Sequence, residues 1–286
     1  MGSQKVAVVT DSTAYIPEEA LDNLAVPVIP LWLIWGEERF RDGVDIDPPS
    51  FYSRLCKSKD FPTTSQPSAG EFVDFFRRVA AERDTDTIVG VHISSGISGT
   101  VASAEAAKAQ LPELNITVVD SLSTAMGLGF IALAAARVAA AGGSVPEVIA
   151  AAEDTQSRLS VLFAVETLEY LHRGGRIGGA KRLLGTALNI KPLLHLEDGR
   201  VEALTQVRTK RKAVARMLDI AQERLGEHRM GEAAVIHVAS SDEAADVADR
   251  VKERFGVSTV YRTTVSPVIG AHAGPGTVGV CFCAAC

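Results

Sequence analysis

Apolar positions along this chain fall in short runs and amphipathic stretches that alternate. Lys5–Thr10 (KVAVVT) predicts a short buried strand, and Asp11-Ser12-Thr13 leads into the helix-like segment Pro17–Leu24. Val26–Trp35 reads as one or two strands. Phe72, Phe75, Phe76 and Val79 recur at helical spacing within Gly70–Glu82. Thr87–Ile93 (TIVGVHI) predicts another buried strand, Gly99–Leu111 a helix and Ile116–Asp120 (ITVVD) a strand. Two Ala-rich helices follow, around Met126–Ala141 and Val145–Ser157. Strands separated by helices of this length imply parallel pairing through right-handed crossovers.

The second half has a different texture. Leu159–Val165 predicts a strand, Thr167–His172 a short helix and Arg173–Gly179 (RGGRIGG) a flexible basic elbow. Ile190–Leu196 and Arg200–Gln206 flank Asp198-Gly199, a strong hairpin signal. Helix Thr209–Leu225, strand Ala233–Ala239, helix Asp242–Phe255 and strand Val257–Thr263 complete the pattern. A hairpin among helices implies a mixed or antiparallel sheet. The expected fold is therefore α/β with two domains, 1–156 around a parallel sheet and 157–286 around a mixed one. No internal repeat or low-complexity segment interrupts it.

Charge and composition narrow the function classes. The 286 residues carry 29 Lys+Arg against 35 Asp+Glu, a net charge of −6, and are 47% hydrophobic. This acidic balance argues against a phosphate-tracking nucleic-acid binder. The most apolar stretches, Val26–Trp35 and Ala125–Ala136, fall short of the roughly 18–20 residues that span a bilayer. No signal-peptide core precedes Val6, so the expected location is the cytoplasm. Cys56 stands alone, while Cys281, Cys283 and Cys286 crowd the end; they read as a buried strand end and a frayed tail rather than a metal site.

The candidate chemistry lies in hydroxyl-rich corners between strands and helices. Asp11-Ser12-Thr13, Ser94–Thr100 (SSGISGT) and Asp120-Ser121 each follow a predicted strand, and Thr63–Ser68 (TTSQPS) opens the Phe-rich helix. Helix capping explains about one hydroxyl per corner. Several together, with little Lys or Arg alongside, suit an oxyanion held by neutral donors. A phosphate loop would normally add a Lys or Arg, whereas a carboxylate needs two hydroxyls and one or two backbone N–H groups. Neighbouring apolar residues such as Leu31, Phe72 and Ile97 would line a slot for an alkyl tail or simply form core.

Other motifs fail on context. Gly274–Gly279 fits G-x-G-x-x-G but leaves too little chain for the helix that receives a pyrophosphate. Gly127–Ala132 sits inside an apolar helix, where close packing explains its glycines. His92 occupies the first Gly place of a nucleophile elbow around Ser94. Among six scattered histidines, His272 stands out within the Gly/Pro-rich loop Ser266–Gly276, where it would donate to a carboxylate or accept a proton near neutral pH. Arg173, Arg176, Lys181 and Arg182 form one basic cluster, and Arg208, Lys210, Arg211 and Lys212 another; each is a solvated face or a landing site for an acidic partner.

Seven segments in order resemble the DegV family: VAVVTDSTAYIP (6–17), PTTSQPSAGEF (62–72), HISSGISGT (92–100), LHRGGRIGG (171–179), NIKPLLHLEDG (189–199), RTKRKA (208–213) and VIGAHAGPGTVG (268–279). The resemblance implies a DegV-like pair of α/β domains with a long-chain fatty acid, such as palmitate or stearate, between them. The first domain would carry the carboxylate-binding loops and the second would cover the tunnel. The resemblance assigns the carboxylate to Thr64 and Ser95, with Ser94 beside them, and places His272 and Arg208 at its mouth. It gives Arg173 and Arg176 to partner docking. Proteins of this type are similar to the lipid-binding subunit of a bacterial fatty acid kinase. The chain would be a carrier rather than an enzyme, with no cofactor or metal, making at most transient membrane contact. A separate ATP-using subunit would form the acyl phosphate. A stand-alone hydrolase or phosphotransferase, and a lipid sensor, are the competing readings.

Overall fold

A computed structural model describes residues 5–185 and 190–285. In the first part the elements run β1 (Val6–Asp11), α1 (Glu18–Leu21), β2 (Val28–Ile29), β3 (Trp32–Trp35), β4 (Glu38–Arg41), α2 (Pro48–Leu55), β5 (Thr63–Ser65), α3 (Ala69–Arg83), β6 (Thr87–His92), α4 (Thr100–Lys108), β7 (Asn115–Asp120), α5 (Ala125–Ala140) and α6 (Val145–Arg158). The rest comprises β8 (Leu159–Ala164), α7 (Glu169–Arg173), β9 (Lys191–Glu197), β10 (Arg200–Val207), α8 (Lys210–Leu225), β11 (Met230–His237), α9 (Ser241–Phe255), β12 (Val260–Thr264), α10 (Pro267–Ala273) and β13 (Val278–Ala284).

The described residues form three sheets. A parallel sheet has the order β2-β1-β6-β7, and a mixed sheet has the order β10-β9-β8-β13-β11-β12, in which β11 and β12 alone pair in parallel. The expected α/β class, with a parallel sheet first and a mixed one second, matches this architecture. A small antiparallel sheet, β4-β3-β5, was not expected. Its edge strand Glu38–Arg41 is mostly exposed and polar, and β5 is three residues long, so neither shows an apolar period.

Helix α5 explains how the two large sheets share a core. Leu128, Ile131 and Ala135 pack with Val8 and Val91 of the parallel sheet, while Met126, Phe130 and Leu133 pack with Val161, Ala234 and Cys281 of the mixed sheet. A helix that is apolar all round is a buried helix. Its small residues keep it thin. A side chain at Gly127 would meet Val161 Cγ2 at 2.7 Å, so the glycine serves close packing, although it lies in the first turn of α5 rather than deep inside it. Helices α3 and α4 cover the outer face of the parallel sheet, and α8 and α9 that of the mixed sheet.

Local signals place the loops around the site. Ser68 caps α3 in a capping box, accepting from Glu71 N at 3.2 Å while Glu71 Oε2 accepts from Ser68 N at 2.8 Å. Asp198 and Gly199 have φ of +48° and +74°, as a primed hairpin turn requires. One expectation near the C-terminus needs correction. The stretch expected as a loop contains α10, because Ser266 is an N-cap followed by Pro267 at the first helical position. The terminal cysteines match the expected buried strand: Cys281 and Cys283 are buried in β13, an inner strand of the mixed sheet, and burial pushes both thiols up to about 12. Cys286 lies outside the described residues, as do Asn189 and the start of its motif.

Candidate functional site

Between the mixed sheet and the loops of the parallel sheet lies a slim, mostly apolar cavity of about 90 Å³. Val161 and Phe163 of β8, Leu196 of β9, Val201 of β10 and Ile236 of β11 form its floor. Leu31, Ile93, Ile97, Ala125, Val268 and Ile269 close it from the other elements. Thr64, Gln66, Ser98, Arg176 and His272 also line it, with Thr64 Oγ1 2.7 Å from His272 Nε2 and the Arg176 charge acting on that ring.

Each of those groups is placed by a local device. Thr64 sits on β5, where pairing with Leu33 of β3 fixes its register. His272 projects from α10, and its Nε2 lies 2.7 Å from Thr64 Oγ1. With Nε2–H donating to Thr64, the hydroxyl proton is left to point at a ligand oxygen. Burial, and then the nearby Arg176 charge, hold the His272 pKa down to about 4. The ring is therefore neutral at physiological pH, which corrects the expectation of a proton acceptor near neutrality. His272 Nδ1 is buried and makes no hydrogen bond among the described residues, packed so closely on Gly174 that any side chain there would collide with it.

Arg176 belongs to the cavity rather than to a docking surface. Its Nε donates to Ile97 O at 3.0 Å and its Nη1 to Gly174 O at 2.7 Å. The guanidinium is thereby fixed beside the next residue of that loop, Ser98, whose Oγ pairs with Thr100 Oγ1 at 2.8 Å. Gln66 packs against Gly99, where a Cβ would stand 2.8 Å from Gln66 Nε2. Two hydroxyls, a neutral imidazole and one fixed cation can together hold a carboxylate at the end of an apolar channel. Nearby, Arg173 stacks over the Phe61 ring at 4.0 Å, and Phe61 contacts Tyr170.

The structure brings together Thr64, His272 and Arg176 but not the other candidate residues. Ser94 is fully buried and its hydroxyl donates to Gly199 O at 2.7 Å, tying the loop to the hairpin. Ser95 is exposed and does not line the cavity; its backbone N donates to Asp120 Oδ1 at 3.2 Å. Arg208 is exposed in the bend before α8 and is not among the residues that line the cavity. Arg173 is exposed and paired with Glu169 at 2.6 Å. Sequence reasoning passed over Ser98 because adjacent hydroxyls in one motif look alike. The turn closed by Ser98 N donating to Ser94 O decides which of them faces inward.

Neither a metal cluster nor a membrane-crossing helix is found among the described residues. Comparison with known proteins fits the geometry. A DegV domain-containing protein of Streptomyces coelicolor, SCO2569, is 44% identical over 279 residues, covering 97% of this chain and 98% of its own. A DegV family protein from Thermus thermophilus, whose structure describes fatty-acid binding, superposes with a TM-score of 0.91 at 35% identity, over 99% of this chain and 100% of that one. The crystal structure of DegV from Bacillus subtilis, described as a fatty acid binding protein, gives 0.90 at 35% identity with the same coverage. The family model described as "Uncharacterised protein, DegV family" matches residues 5–285, and the chain belongs to the DegV family.

Proposed function

We propose that this protein binds one long-chain fatty acid in the cavity between its sheets and is a carrier rather than an enzyme. The observation that carries this reading is the set of polar groups Thr64, Ser98, Arg176 and His272 on a mostly apolar channel. Length supports it. The floor runs from Val201 on β10 to Ile236 on β11, four strand spacings apart in the sheet order. At about 4.8 Å per spacing that is roughly 19 Å. An extended palmitate, advancing about 1.25 Å per bond, has nearly the same length. Each buried methylene adds about 0.8 kcal/mol, so the tail supplies most of the affinity and the cluster sets the orientation.

In this reading Thr64 and Ser98 donate to the carboxylate, Arg176 offsets its charge and His272 positions the Thr64 hydroxyl. A separate ATP-dependent kinase then converts the presented carboxylate to an acyl phosphate, with Arg173 and Arg208 as exposed docking contacts. Phosphoryl transfer depends on positioning and charge neutralisation, which fits a carrier that offers its ligand to another protein's nucleotide site. The proposed division into 1–156 and 157–286 places the boundary in the last turn of α6, between the parallel and mixed sheets. The cytoplasm is the proposed location.

Native mass spectrometry of protein purified without added lipid tests the binding: a mass increment matching a long-chain fatty acid is expected, and protein that neither carries nor takes up such an acid overturns the reading. Incubation with ATP and palmitate tests the carrier role, since acyl phosphate formed by the pure protein would make it an enzyme.

A further inference from the structure

We infer that Gly279 determines which acyl chains the cavity holds, because the side chain it lacks would raise the cavity floor. The inference rests on the fatty-acid reading. In the mixed sheet Phe163 of β8 pairs with Gly279 of β13, and Gly279 pairs with Ile236 of β11. The three residues form one row across the sheet, and residues paired across strands point to the same face. Phe163 and Ile236 both line the cavity, so Gly279 occupies the gap between two floor residues.

A Cβ at Gly279 would lie 2.8 Å from Phe163 Cβ, 3.1 Å from Ile236 Cγ1 and 2.7 Å from Leu162 O. Two of those atoms belong to the backbone or are anchored directly to it, so they yield only with the strand. Ile236 already leans over the glycine. A methyl group at 279 therefore pushes Ile236, the one neighbour met at a movable side-chain atom, into a channel of only about 90 Å³. No turn geometry accounts for this glycine: it lies within a strand and is not among the positive-φ glycines. A glycine inside a strand marks the close approach of something to the sheet. Here that something is the pair of floor residues, Phe163 and Ile236, which close over the glycine and themselves line the cavity.

The test loads delipidated full-length protein with an equimolar mixture of saturated fatty acids of graded length and reads the bound masses by native mass spectrometry. Gly279→Ala should shift the profile to shorter chains, with a loss of about fourfold for each methylene that no longer fits. Ile236→Val, which removes a methyl group over the glycine, should shift it towards longer chains. That second variant decides the matter if Gly279→Ala does not fold. A loaded wild type with unchanged profiles in the folded variants overturns the role of Gly279 alone. A wild type that binds none of the acids overturns the fatty-acid reading and this inference with it.

Discussion

Two corners of the molecule have nearly the same composition and opposite fates. At the end of β1, Asp11, Ser12 and Thr13 are buried and spend their polar groups on one another and on neighbours. Asp11 accepts from Thr13 Oγ1 at 2.6 Å and from Ile93 N at 2.8 Å, and Ser12 donates to Asp42 at 2.7 Å. Around Thr64 and Ser98 the hydroxyls line a cavity, with His272 and Arg176 beside them instead of carboxylates. The first corner is closed by acceptors of its own; the second lacks an internal anion and has room for one. A hydroxyl-rich corner becomes a ligand site when the fold supplies space and withholds the acceptor.

The largest expected effect falls on the closed corner. Asp11→Ala strips the acceptor from several buried donors and should destabilise the protein by about 3–5 kcal/mol, read as a fall in denaturation midpoint. A small loss there would blur the contrast. At the open corner, Thr64→Ala and Ser98→Ala should each weaken fatty-acid binding by about 1–3 kcal/mol while barely moving the midpoint. Titration with a fluorescent fatty acid checks this, and unchanged affinity in the double variant would place the carboxylate elsewhere.

The two corners also differ in their response to pH. Burial, opposed by hydrogen bonds from Ser12, Ser266 and Val268, pushes the Asp42 carboxyl up to about 7. The folded state then holds a proton that the unfolded state has released. Stability is full below the usual carboxylate range and falls as pH rises through 7, by up to about 1.4 kcal/mol per unit. Asp42→Asn should flatten that slope, measured by urea unfolding between pH 5 and pH 9. His272 behaves oppositely, since its lowered pKa costs stability only as pH drops from about 6.5 through about 4. The smallest effects belong to exposed residues: Ser95→Ala and Arg208→Ala should leave fatty-acid affinity within about twofold. Of these, Arg208→Ala alone should lower kinase-dependent acyl phosphate formation.

Alternation and helical spacing were enough to read most strands and helices, because period and turn chemistry are local. The Asp198-Gly199 turn and the capping box at Ser68 are cases where the residue dictates the backbone. The small sheet β4-β3-β5 was invisible, since β5 earns its place through pairing with β3 rather than through an apolar period. Helix α10 was masked by glycines that end it or pack against Tyr52. At the site, Thr64 and His272 were legible as candidates. Their meeting across 208 residues was not.

The chain alone determined the class of fold, the family and a chemistry of neutral hydroxyls beside apolar slots, all properties of side-chain type and short-range order. Which hydroxyl faces the cavity, which is consumed by Gly199 or Asp42, and that Arg176 turns inward were decided only when distant segments packed. Burial and hydrogen-bond partnership are relations between residues, and a sequence states the residues without stating how far apart they come to rest.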